Sequence, residues 1–366
     1  MALRSNSVMP RLVNSDFGTE VKQKGDTIQV PVPSVMAATD VVPGAYAPDP
    51  QNVAPTTAPI ALSNWKEAPF TLTEKEMAQV IEGVVPIQLS AAIEAIATTI
   101  NADILGKAAG VYGYVGTAGT TPFASDLTAA TSARKTLGLQ LAPTGNRRMV
   151  LNPDAEANAL GLAAFRQYLQ SADPNVIREG DIGRKLGFDW YMDQQVPTHT
   201  AGTITTGLIA KASTVQAVGV TSVTATTAAS TGACALKKGD IIVFSGDTQT
   251  YALTADATQA SAATDVTLTI SPGKVVALAG SETITVKATH VMNLGFHRDA
   301  FAFASRPLMN QEFTRNKDDQ FVASDPVSKI TMRLSYREEF HRTRFAFDVL
   351  WGSALIRPQL ATRLAG

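Results

Sequence analysis

Seven prolines, Pro31, Pro33, Pro43, Pro48, Pro50, Pro55 and Pro59, fall within one short stretch near the start of the chain. Proline lacks the backbone N–H and fixes φ, so this density forbids a continuous helix or a central strand. The flanks read as strands: Thr27-Ile28-Gln29-Val30 before the prolines, and residues 61–73 with Trp65 and Phe70 after them. The pattern predicts an extended arm followed by a long two-stranded loop. Such a segment buries little apolar surface against itself, so it needs another surface to lie on, in its own subunit or in a neighbour.

The remaining chain divides by periodicity. Pro86 suits the first turn of a helix, and Leu89, Ile93, Ile96, Ile100 and Ile104 follow at i+3/i+4 spacing, with Gln88, Glu94, Thr98 and Asn101 on the other positions. A helix to Lys107 would run about 33 Å. A second helix is expected from a Ser125 or Asp126 cap through Leu127, Ala130, Arg134, Leu137 and Leu141. A short buried strand covers Arg148 to Leu151, a third helix runs through Leu160, Leu162, Phe165 and Leu169, and residues 188–196 form a strand.

Composition shifts sharply at residues 201–289. This stretch holds 19 Thr, no Arg, and only Phe244 and Tyr251 as aromatics, with five lysines against five carboxylates. Short alternating runs recur, including 203–205, 240–244, 266–270 and 283–286, separated by Gly-Asp and Pro-Gly turns. They read as an inserted all-β module. After it, Ile330, Met332, Leu334 and Tyr336 alternate with polar residues, and so do Phe345, Phe347, Val349 and Trp351. Period-two alternation on both arms predicts a long antiparallel pair with one buried face.

Chemistry is sparse. His199, His290, His297 and His341 form no metal-ligand pair motif, and the single cysteine, Cys234, has no partner, reading instead as a small buried hydrophobe. The glycines at 106, 110, 113, 116 and 119 match no phosphate-loop pattern. No Gly-x-Ser-x-Gly elbow is present, and Asp181, Asp189 and Asp193 single out no acid–base pair. No catalytic residue, cofactor site or metal site is assigned, and the chain is expected not to be an enzyme. A net charge of -1, from 31 basic and 32 acidic side chains, argues against a dedicated DNA binder. Residues 1–14 lack an apolar signal core and no run is long and apolar enough for a membrane span, so no membrane association is expected. Charged residues are only 17% of the chain, which fits extensive burial between subunits together with a Thr/Ser/Ala-rich surface.

The order of parts resembles the tailed-bacteriophage major capsid (coat) protein family. Within it the chain looks like the short-tailed-phage subgroup with an inserted β domain and scaffold-assisted assembly. GTEVKQKGDTIQVPVP (18–33) looks like the arm entering the extended loop, and WKEAPFTLTEKE (65–76) like the returning strand. NPDAEANALG (152–161), IREGDIGRKLG (177–187) and FDWYMDQQVP (188–197) resemble the helix, linker and strand of the family's axial domain. NLGFHRDAFAFASRPL (293–308) looks like the strand that returns to it. The resemblance implies an α+β fold with an N-terminal arm, extended β loop, long spine helix with antiparallel strands, an axial α/β domain and the inserted all-β domain. It implies these boundaries: arm and loop 1–72; peripheral domain 73–123 and 321–366; axial domain 124–200 and 290–320; insertion 201–289.

The function implied is that of an icosahedral shell subunit, in hexamers and pentamers, enclosing double-stranded DNA without sequence specificity. A scaffolding protein and a portal protein would be its partners, and the bacterial host cytoplasm its place of assembly into the virion. Trp65 and Phe70 are then candidate intersubunit contacts. Arg333, Arg337, Arg342 and Arg344, part of a local basic excess after Pro326, are candidates for contact with DNA or an acidic partner. The rival readings are a β-rich extracellular fibre, adhesin or surface-layer protein, which leaves the long helix unexplained, and an enzyme, which lacks a site.

Overall fold

The structure is a computed structural model that describes residues 8–16, 27–32, 36, 38, 40, 43, 56–79, 84–166, 180–203, 207–211, 216–227, 234–259, 264–306 and 320–366. Most of the proline-rich loop, the Leu169 end of the third expected helix, the side chain of Cys234 and most of the 203–205 strand lie outside the described residues. The chain divides into two compact units. One comprises Met1–Asn14, Ala97–Phe301 and Arg357–Gly366; the other comprises Ser15–Ile96 and Ala302–Ile356.

In the second unit, β1 (Thr27–Val32) and β2 (Thr56–Ala61) pair antiparallel as a ribbon, with Ile28 opposite Ile60. Pro31 and Pro59 stand within these strands, which is possible because a two-stranded ribbon is all edge. The base of the ribbon has a core after all. Ile28, Val30, Ile60 and Leu62 pack on Ala302, Ala304 and Leu350. β3 (Asn64–Thr73) runs antiparallel to the long strand β21 (Arg342–Leu355). The five-stranded sheet has the order β18 (Phe301–Arg306), β21, β20 (Thr331–Glu339), β19 (Gln320–Ser324), with β3 also on β21. The expected terminal pair is thus β20–β21, in register from Arg333–Asp348 to Glu339–Arg342.

The first unit holds α1 (Met9–Leu12) and a mixed sheet ordered β4 (Gly113–Gly116), β22 (Ala361–Ala365), β17 (His290–His297), β5 (Arg147–Leu151), β7 (Phe188–Met192), β6 (Arg184–Lys185), with β8 (Thr198–His199) paired to β17. β4–β22 and β5–β7 are parallel. α2 (Glu74–Gln79) follows β3, with Thr73 Oγ1 accepting from the Glu76 N–H and Glu76 Oε2 accepting from the Thr73 N–H, a capping box. α3 (Val84–Gly106) is the long helix, and Ile96, Ile100 and Ile104 of its apolar stripe are buried.

Three sequence expectations shift. Asn101, placed on the polar positions of α3, is buried; its Oδ1 accepts from Met9 N at 2.8 Å and its Nδ2 donates to Asp193 Oδ2 at 2.7 Å. The second helix, α4 (Thr128–Leu139), stops before Leu141, which is exposed with φ 58°, because Leu141 has left the helical hydrogen-bond ladder. The third helix splits at Leu162 into α5 (Pro153–Gly161) and α6 (Ala163–Arg166); Asn152 Oδ1 caps α5 by accepting from Ala155 N.

Residues 201–289 build sheets from their own strands. The larger has the order β16 (Ile284–Val286), β12 (Ile241–Phe244), β13 (Tyr251–Leu253), β15 (Asp265–Ser271), β10 (Ser222–Thr227), β9 (Leu208–Ala210). β11 (Cys234–Leu236) and β14 (Ala257–Gln259) form the smaller. Alternation on β15 buries Val266, Leu268 and Ile270 in one cluster with Val223, Phe244 and Tyr251. The core also holds an ion pair: Lys274 Nζ lies 2.7 Å from Asp247 Oδ2 and over the Phe244 ring at 4.0 Å.

Candidate interaction surfaces

The pairing register places the candidate residues on particular faces. On β3, Trp65 and Phe70 differ by an odd number of positions, so they point to opposite sides of the sheet. Phe70 is half-buried and stacks on its register partner Phe345, with centroids 5.2 Å apart and planes at 16°. Trp65 is 46% exposed, and its Nε1 donates to Asp348 Oδ2 at 3.3 Å. Of the two, Trp65 presents the larger free surface.

All four candidate arginines share the Trp65 face, because Arg333, Arg337, Arg342 and Arg344 stand in register with one another, with Asp348 and with Glu339. The face is not simply cationic. Arg333 grips Asp348 with two nitrogens, Nε at 2.9 Å and Nη2 closer still. Arg342 pairs with Glu339, and Arg344 reaches Glu67 across the strands at 2.5 Å. Arg337 is exposed, faces Arg344 in the register, and has no carboxylate partner among the described residues. Three of the four candidate arginines are therefore paired with carboxylates of the chain itself. Of the four, Arg337 alone has no carboxylate partner among the described residues to oppose its charge.

A second constellation escaped sequence reading. β8–β17 pairing sets His199 opposite His290, with ring centroids 5.6 Å apart. β22 runs alongside and brings Arg363, fully buried, to the same place. Its Nη1 donates to the Gly239 carbonyl at 2.9 Å and its Nη2 to the Ala109 carbonyl at 2.6 Å. Asp240, also fully buried, lies 2.7 Å from His199 Nε2 and accepts from the Gly202 and Lys237 N–H groups. Burial pushes the Arg363 guanidinium down to about 9, with Asp240 and Tyr114 opposing. His290 is held below its ordinary value, first by burial and then by Arg363 and His199, against its bond to the Ala288 carbonyl and the charge of Asp240. The only forewarning in the sequence is an arginine inside an apolar strand.

Among the described residues no group of three or more His, Cys, Asp or Glu side chains could hold a metal ion. No described helix is long and apolar enough to cross a membrane.

No protein-family profile and no curated protein sequence matches the chain. Solved structures do. A protein of Mycobacterium phage Che8 matches with a TM-score of 0.55 at 12% identity, covering 98% of this chain and 91% of that one. The capsid of Cyanophage P-SCSP1u matches at 0.54 and 11% identity, covering 98% and 88%. The mature capsid of bacteriophage PhiM1 matches at 0.52 and 10% identity, covering 98% and 87%. Over nearly its whole length this chain has the α+β fold of the tailed-bacteriophage major capsid proteins.

Proposed function

We propose that the chain is a major capsid subunit that closes into an icosahedral shell around double-stranded DNA, and that it acts through contacts and not through catalysis. The observation that carries this reading is the fold match, which covers 98% of the chain and includes two subunits that are themselves capsid components. The domain division remains the one the resemblance implies: arm and loop, peripheral domain, axial domain and insertion. Hexamers and pentamers place the same chain in non-equivalent surroundings, so adaptable segments must absorb the difference. Individual contacts can stay weak because each subunit engages several neighbours at once. Scaffolding protein, portal protein and packaged DNA are the proposed partners, the bacterial cytoplasm the place of assembly, and a rigid-body rearrangement the maturation step.

The loop between β1 and β2 is the proposed intersubunit clamp. Its base is anchored by Ile28, Val30, Ile60 and Leu62, a firm root for a segment that grips a neighbour. Trp65 adds an exposed aromatic beside that root, while Phe70 supports the sheet from the other side. Arg337 is the proposed contact for DNA phosphate or an acidic partner.

Negative-stain microscopy of the purified chain, alone and with its scaffolding protein, tests the reading. Closed shells or capsomers are expected; a stable monomer at high concentration with scaffold present overturns it. Deleting residues 37–55 should leave a folded subunit that assembles poorly. Normal, stable particles from that deletion would remove the clamp.

A further inference from the structure

The buried constellation around Arg363 joins two parts of one compact unit. β4, β8, β17 and β22 belong to the mixed sheet, whereas Gly202, Gly239 and Asp240 belong to the inserted β module. The contact is close. A Cβ on Gly239, at φ +95°, would sit 3.0 Å from Ala109 Cβ and 3.2 Å from His199 Cε1, so module and sheet meet there without room for a side chain.

Charge here is finely balanced. One carboxylate, Asp240, faces one permanent cation, Arg363, and both are fully buried. His290 is 1% exposed and faces every element of the joint. Arg363 reaches it from β22, His199 from β8, Asp240 from the module, and Tyr114 from β4, whose ring meets it edge-on at 5.2 Å. Lys287, just before β17, holds its ammonium 5.6 Å from the Tyr114 ring centroid. The Ala288 carbonyl lies 2.8 Å from His290 Nδ1 and must accept, which places the neutral ring's proton on Nδ1. Nε2 is then a lone pair, buried, with no hydrogen-bond partner among the described residues.

We propose that this joint is an acid-released latch between the inserted module and the sheet from which it springs, with His290 as its trigger. Protonation at Nε2 adds a second positive charge beside Arg363 where a single carboxylate serves both. It also creates a buried N–H with nothing to accept it. Separation of the module admits water and relieves both faults. The sign follows from the depressed folded value. His290 takes up its proton more readily when exposed, so docking is favoured above about pH 6.5 and weakens as pH falls below it. This inference concerns the chain's own joint and does not depend on the capsid reading.

Hydrogen exchange on the unassembled full-length chain, corrected for the intrinsic effect of pH, tests it. On moving from about pH 7.5 to about pH 5.5, peptides covering residues 109–115, 199–203 and 237–241 should lose protection. The expected loss is up to about tenfold per unit of separation between folded and exposed pKa. Strands β10 and β15, inside the module's own core, should keep theirs. In His290→Asn, which keeps a donor for the Ala288 carbonyl but cannot gain charge, the acid-dependent loss should vanish. Unchanged protection of the joint in the wild type, or an equal loss in His290→Asn, overturns the proposal. Should that variant be undocked at neutral pH, nuclear magnetic resonance of the wild-type histidine decides. A ring that starts as the Nδ1–H form and titrates in step with the loss of protection upholds the latch; one that titrates without it removes the latch.

Discussion

Gly352 lies in β21 where that strand passes the end of the β1–β2 ribbon, and replacing it with alanine tests how firmly the ribbon is rooted. A Cβ at this position would stand 2.4 Å from the Ala61 carbonyl oxygen, 3.0 Å from its carbon and 3.1 Å from Ile60 Cγ2, whereas ordinary contact begins at 3.4 Å. Two of these atoms are backbone, so no side chain can swing aside, and one strand must move by about 1 Å. Overpacking of this kind costs about 1–3 kcal/mol. Expelling the ribbon instead would expose Ile28, Val30, Ile60 and Leu62, each worth roughly 1.5–3 kcal/mol, or about 6–12 kcal/mol as an upper bound. The smaller cost wins, so the ribbon should stay docked in a displaced position. Guanidinium unfolding of Gly352→Ala should show stability lower by about 1–3 kcal/mol. Hydrogen exchange should find residues 27–32 and 56–61 still protected, and assembly should suffer because the loop leaves its root at a changed angle. An unaltered midpoint would refute the close approach, and complete loss of ribbon protection would refute the anchoring.

Gly138→Ala should have the opposite sign: a Cβ there meets nothing within 4 Å and the residue is helical in α4, so stability should rise by about 0.5–1 kcal/mol in the same unfolding assay. Asp348→Ala removes the carboxylate that Arg333 grips with two nitrogens and that Trp65 donates to, in a nearly buried setting, so a loss of about 3 kcal/mol is expected. A loss below about 1 kcal/mol would show that water already screens that pair.

Local pattern made several elements legible in the sequence. The isoleucine stripe of α3, the alternation of β20 and β21, and the change in composition at the insertion each depend on residues a few positions apart, and each corresponds to an observed element. The sequence groups Trp65 and Phe70 as contacts of one kind, whereas their odd spacing on β3 divides them between its two faces.

Pairing across long separations was decided only by the tertiary structure. Arg344 and Glu67 are far apart in the chain, as are Asp348 and Trp65, and only the sheet register brings such groups to one face. Arg333, Arg342 and Arg344 looked like unopposed charge until the register set carboxylates beside them, while Arg337 was left facing Arg344. Asn101 looked like a solvent-facing position on α3 until Met9 and Asp193 closed around it. His199, Asp240, His290 and Arg363 share no local motif, because each satisfies its own strand or turn and their meeting depends on how the insertion docks. Helix and strand periods are set by neighbouring side chains and backbone sterics, which a sequence states directly. The value of a charge is set by what surrounds it, and for these residues that is known only once the chain has folded.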